Sequence, residues 1–339
     1  MFFIGLFAVV VLCVVLIVIL QRIQLRSGIL RTGLFLLFGL LFFIAFSWLS
    51  IALISQKGSA AFEISRLPVH MFHLRNIDIQ ADIQKIKYGD HQRQYIDLLI
   101  YPDSLDNTKP AIFYVHGGGW TVGKPDQDYY LADWLAQKGH AVYLCAYRLA
   151  PKHNSYDLNE DISLGFQTAY RHCIDSLTLN RSQTNPRKWI IGGTSAGSNL
   201  SALLCYDNNR WNNINPRDSL LLGYFAMSGV LDLNKISDNI VVRGYCGKRN
   251  SPMFQQSNPL NFVDSTDHFP ILVIHGSKDG LAPLDNILQF TARLDAFNLP
   301  YSLFVVDSAT HLETCTAWYY DSKFNNGQDS VILHWLTSL

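Results

Sequence analysis

In the stretch Ile190-Ile191-Gly192-Gly193-Thr194-Ser195-Ala196-Gly197-Ser198-Asn199-Leu200, a single hydroxyl, Ser195, has glycines two residues to either side. Trp189 to Ile191 is a short apolar run of buried-strand type, and Ala196 to Tyr206 has the spacing of a helix, so Ser195 falls on the turn between them. There its side chain stands clear of the sheet, beside a helix N-terminus that favours negative charge. The chemistry this suits is nucleophilic attack by a serine oxygen. A Gly-x-Ser-x-Gly match arises by chance in about one chain of this length in ten, so it carries weight only in company.

The company begins at Ala111 to Trp120. The run Ala-Ile-Phe-Tyr-Val stops on His116-Gly117-Gly118-Gly119-Trp120, and three glycines after a strand expose successive backbone N–H groups. Gly117, Gly118 and Gly119, with the N–H of Ala196, make a candidate cradle for an oxyanion. Two further groups follow strand-like runs. Asp279 lies beyond Ile271-Leu-Val-Ile-His-Gly, and His311 lies beyond Ser302-Leu-Phe-Val-Val-Asp-Ser-Ala-Thr. A serine hydroxyl is a poor nucleophile at neutral pH, so an imidazole must take its proton and a carboxylate must fix the imidazole's tautomer. Asp285, expected as a helix N-cap, and Asp307 are competing acids. His334 lies within a terminal amphipathic run that favours packing or solvent.

These side chains need elements that deliver them to one place. Alternating residues from Ile83 to Ile86 and from Tyr95 to Ile100 predict an antiparallel pair at a sheet edge. Apolar strands are then predicted at Ala111–Val115, Ala141–Ala146, Trp189–Ile191, Tyr224–Met227, Ile271–Ile274 and Ser302–Val306. Helical stretches are predicted at Tyr129–Gln137, Asn159–Ser176, Ala196–Tyr206, Asp285–Phe297 and Ser330–Leu336. The alternation implies a mostly parallel α/β sheet covered by helices on both faces, with ligands at the carboxyl ends of strands. All the candidate groups follow such ends.

Together His116-Gly-Gly-Gly-Trp, Tyr147-Arg148-Leu149-Ala150-Pro151, Gly193-Thr-Ser-Ala-Gly-Ser-Asn-Leu, Asp279 and His311 resemble the hormone-sensitive-lipase-like branch of the α/β-hydrolases, from about Tyr95 to the C-terminus. The resemblance implies the α/β-hydrolase fold and a membrane-anchored carboxylesterase or lipase, with no cofactor and no metal. It implies Ser195 as the acylated nucleophile, His311 as general base and acid, Asp279 as its orienting partner, and Gly117, Gly118, Gly119 and Ala196 around the oxyanion. Arg148 and Asp161 would brace the loops. The family usually has an acid where this chain has Thr194, and a glycine where it has Ser198. An amidase of the kynurenine-formamidase type, and a non-catalytic binding module on the same fold, are the alternative readings.

Of 339 residues, 49% are apolar and only 16% charged, with 27 basic and 27 acidic side chains. Zero net charge and the lack of basic runs interleaved with aromatics argue against a nucleic-acid partner. The apolar excess gathers at the N-terminus. Two runs, 2–20 and 32–54, are each long enough to cross roughly 30 Å of hydrocarbon. They predict a transmembrane hairpin over 1–56, a linker at 57–76 and a catalytic domain at 77–339, with the bilayer and an ester substrate as partners. Arg22, Arg26 and Arg31 between the runs favour a cytoplasmic loop, which places the catalytic domain on the non-cytoplasmic side. Six cysteines lack the spacing of a metal or thiol-redox motif. Nothing in the sequence sets the oligomeric state.

Overall fold

The computed structural model describes residues 10–19, 28–74, 78–177, 187–211, 217–316 and 327–339. The chain divides into two compact units, Met1–Asn76 and Ile77–Leu339.

In the first unit, helix α1 covers Val10–Ile19, α2 Gly28–Ile54 and α3 Ala60–Leu74. Within α2, Thr32–Ile54 is the one helix among the described residues long and apolar enough to cross a membrane, and its side chains are almost wholly outside any packed interior. The predicted hairpin is therefore corrected. The ten residues of α1 fall short of the roughly 20 that a bilayer requires, and the rest of the 2–20 run, like Arg22 and Arg26, lies outside the described residues. Residues 57–76, expected as a linker, instead contain α3. It opens on Ser59, whose hydroxyl accepts the Phe62 N–H, and its backbone is tied to α2 by the Trp48 indole donating to the Ser65 carbonyl at 3.1 Å.

The second unit is built on eight strands: β1 Asp82–Lys87, β2 Tyr95–Ile100, β3 Ala111–Val115, β4 Val142–Cys145, β5 Trp189–Thr194, β6 Leu221–Met227, β7 Ile271–Gly276 and β8 Tyr301–Val306. They form one sheet in the order β1-β2-β4-β3-β5-β6-β7-β8. β2 pairs antiparallel with both its neighbours, and every other pairing is parallel. The expected edge pair forms, with Ile96 opposite Ile86. Its second strand is buried from Ile96 to Ile100 rather than alternately wet, because helices cover both of its faces.

Parallel strands need crossovers, and helices α4 (Tyr129–Gln137), α5 (Ser155–His172), α6 (Ala196–Tyr206), α10 (Leu284–Ala296) and α12 (Gln328–Ser338) supply the cover. Shorter α7 (Arg217–Leu220), α8 (Ile240–Cys246), α9 (Pro252–Gln256) and α11 (His311–Cys315) lie between them in the chain. Phe113, Tyr143 and Ile191 point to the face packed by α5, α6 and α10; their neighbours Ile112, Val142 and Ile190 point to the face packed by α4 and α12. Burial on both sides explains why these strands read as unbroken apolar runs. The capping box of Asn154 and Asp157 starts α5, four residues before the predicted Asn159.

Candidate active site

Ser195 follows the last residue of β5 and caps α6, with φ 54° and ψ −120°. A non-glycine residue held there carries strain of about 1–3 kcal/mol. The surroundings impose it. Ser195 N–H donates to the Met227 carbonyl at 2.9 Å, and a Cβ on Gly197 would collide with the carbonyl of Val115. Only a bare backbone lets the start of α6 pass so close to the end of β3.

The three residues expected to act together are together. His311, first in α11, accepts the Ser195 hydroxyl at Nε2 across 2.9 Å and donates from Nδ1 to Asp279 Oδ2 across 2.7 Å. The capping box of Thr310 and Glu313 fixes where α11 begins, and so where the ring emerges. Asp279 is buried; its Oδ1 accepts the N–H groups of Leu281 at 3.0 Å and Ala282 at 2.7 Å. Burial alone would raise the Asp279 carboxyl and lower the His311 imidazole. The facing charge and shared hydrogen bond outweigh it, so the carboxyl sits below its usual value and the imidazole well above.

The glycine turn lies beside Ser195, for a Cβ on Gly117 would come within 3.3 Å of the serine Cβ. Gly118 and Gly119 have φ of 119° and 57°, and a Cβ on Gly118 would strike the Val122 carbonyl. Just before them, the carbonyls of Val115 and His116 lie against Gly197 in the first turn of α6, and a helix leaves its first N–H groups, here that of Ala196, without an acceptor four residues back. His116 serves the turn, not the reaction. Its Nδ1 donates to the Gly117 carbonyl at 2.7 Å, its ring stacks on Tyr147 at 4.3 Å, and burial pulls its pKa down to about 3.

Several supporting residues were not anticipated. Arg93 donates to the carbonyls of Tyr147 at 2.8 Å and Gly123 at 2.5 Å, pinning the outer arm of the glycine turn. Thr194 donates to buried Asp128 at 3.0 Å and, having one proton, accepts from the Tyr114 hydroxyl at 2.7 Å. A carboxylate thus reaches the position preceding Ser195 from another element. Burial lifts the Asp128 carboxyl to about 7. His275, at the end of β7, is 3.4 Å from Asp279. Arg148 and Asp161 do pair, and Gln94 completes the cluster at 2.8 Å.

The competing residues lie elsewhere. Asp285 pairs with Lys235 at 2.8 Å; it is the second residue of α10, where Pro283 and not Asp285 is the N-cap. Asp307 meets Ser277 and Ser308 at the surface. His334 is exposed on α12. Among the described residues no group of His, Cys, Asp and Glu has the arrangement of a metal site.

The chain matches the BD-FAE family over residues 96–294. It is 25% identical over 265 residues to the isoprenylcysteine alpha-carbonyl methylesterase of Arabidopsis thaliana, a match covering 73% of this chain and 60% of the relative. It is 26% identical over 230 residues to a probable carboxylic ester hydrolase, LipM, of Mycobacterium tuberculosis, covering 62% and 51% respectively. The match thus spans about half to three fifths of the length of these curated relatives. Among solved structures, esterase B from Lactobacillus rhamnosis superimposes with a TM-score of 0.64 at 16% identity, covering 82% of this chain and 92% of that one. A hormone-sensitive lipase from a metagenome library gives 0.61 at 17%, covering 80% and 91%. With the family match running from β2 into α10, and with the sheet order and likeness to these structures beside it, the chain belongs to the BD-FAE family and has the α/β-hydrolase fold.

Proposed function

We propose that this protein is a membrane-tethered serine hydrolase that cleaves carboxylic esters through an acyl-enzyme. One observation carries the reading: the unbroken line of hydrogen bonds from Ser195 through His311 to Asp279. In acylation, the Ser195 oxygen attacks the ester carbonyl as its proton passes to His311 Nε2. The tetrahedral oxyanion is received by N–H groups of Gly118, Gly119 and Ala196, with Gly117 shaping the turn, and His311 returns the proton to the leaving alcohol. Deacylation repeats the sequence with water. Each oxyanion donor is worth about 10²- to 10³-fold in rate, and the raised basicity of His311 favours proton uptake from a hydroxyl.

The names of the relatives support the ester class, and that of the methylesterase suggests a methyl ester on the carboxyl of a lipid-modified cysteine, or another lipophilic ester. Membrane tethering rests on Thr32–Ile54. With basic residues preceding that span, we place the catalytic unit, 77–339, on the non-cytoplasmic side. The test compares the wild-type chain with Ser195→Ala on a p-nitrophenyl acyl ester. Turnover should vanish in the variant while its thermal transition is kept; a variant that turns over as fast as the wild type excludes Ser195 as the nucleophile. The same comparison on a matched anilide separates esterase from amidase.

A further inference from the structure

Asp279 is held between two imidazoles, only one of which the reaction uses. His275, the fifth residue of β7, is completely buried. Its Nε2 is 2.7 Å from the Ala282 carbonyl and 3.4 Å from Asp279 Oδ2. Among the described residues its Nδ1 has no hydrogen-bond partner although it is buried. A ring buried with one nitrogen unpaired costs stability unless the bonds of the other offset it. An apolar side chain would pack there without that cost, so the account of this ring lies in what Nε2 holds.

What it holds is the far end of the acid loop. Ala282 is fixed twice: its carbonyl by His275, its N–H by Asp279 Oδ1 at 2.7 Å. The loop from Ser277 to Ala282 is thereby closed on the strand that launches it. With Oδ1 engaged by two backbone N–H groups, Oδ2 is left directed at His311. We propose that His275 is a positioning residue for the catalytic acid, its Nε2–H anchoring Ala282 so that the Asp279 carboxylate stays turned toward His311. The proposal rests on the triad reading above. Burial keeps His275 neutral against the pull of Asp279 and of the bond to Ala282, which leaves its one proton free to be the Nε2 donor.

The test uses the full chain in detergent, with His275→Leu, which fills the space without a donor, and His275→Gln, whose terminal amide supplies one near the Nε2 position. The readouts are kcat and KM for a p-nitrophenyl ester across pH, with a thermal transition for each variant. The titratable groups facing Asp279 are His311 and His275, and those facing His311 are Asp279 and Cys315 from its own helix. In His275→Leu, kcat should fall about 10- to 100-fold, the loss expected for a misplacement of about 1 Å, with KM little changed. Its acid limb should move to lower pH, because a carboxylate turned away no longer raises His311. His275→Gln should recover most of both. A Leu variant within twofold of wild type with an unmoved acid limb overturns the proposal. Equal losses in Leu and Gln that track their thermal transitions overturn it too, as does failure of both to fold, since His275 would then serve packing alone. A wild-type chain that neither turns over the ester nor takes a fluorophosphonate on Ser195 is a failure of the triad reading and is visible before any His275 variant is made.

Discussion

In the proposed reaction the Ser195 hydroxyl is useful only while His311 is neutral, and Asp279 works against that by holding the proton on the ring. Activity should therefore rise with pH through an acid limb above the ordinary imidazole value, since the His311 pKa is raised. Asp279→Asn removes the charge that raises it. The acid limb should then move to lower pH while kcat falls by about 10³- to 10⁴-fold from the wrong tautomer; a pH–rate profile of both proteins checks direction and size. Asp128 makes a second residue-scale prediction. Its folded pKa, about 7, lies above that of an unfolded carboxylate, so its contribution to stability is full below about pH 4 and is lost as pH rises toward 7. Asp128→Asn should stabilise the fold more at pH 8 than at pH 5, by up to a few kcal/mol, as read by denaturant titration at the two pH values. Residues of this kind explain where the sequence falls silent. Ser195 and its glycines are legible because a sharp turn needs particular residue types within a few positions. Asp128 is 66 residues from Thr194 along the chain, and no local pattern marks such a partner. His275 stands in plain view beside Gly276, yet only burial and the Ala282 bond give it a role.

Elements place the chemistry by where they stop. β5, β7 and β8 all end on the same side of a parallel sheet, so three residues distant in sequence need only short loops to meet. Strand positions were readable because burial on both faces demands continuous apolar runs, and α4 and α6 have the bounds their periodicity gives. The start of α5 was not, since its capping box lies upstream of the apolar face. Helix α3 was missed for a related reason: Pro68 and its polar residues mimic a linker, while its packing partner is the apolar helix α2. The short α11 depends heavily on its cap. Thr310→Ala should cost about 1 kcal/mol of stability, and should reduce kcat by loosening His311 while a denaturant titration shows the fold intact.

At the scale of the molecule, a chain of zero net charge sets an α/β-hydrolase-fold unit after an N-terminal unit whose α2 displays apolar side chains along its length. Its length and exposed apolar surface match the hydrocarbon core of a bilayer. The full chain should remain with membranes through alkaline carbonate extraction, and replacing Leu37 and Leu41 by aspartate, at a few kcal/mol each near the centre of the span, should release it. The proposed function comes down to one chemical event at one oxygen. The most direct measurement is peptide mapping by mass spectrometry after reaction of the detergent-solubilised chain with a fluorophosphonate. The account predicts one adduct per chain, on the peptide carrying Ser195, and its loss in His311→Ala. A folded wild-type chain that takes no adduct, or takes it on another residue, contradicts it.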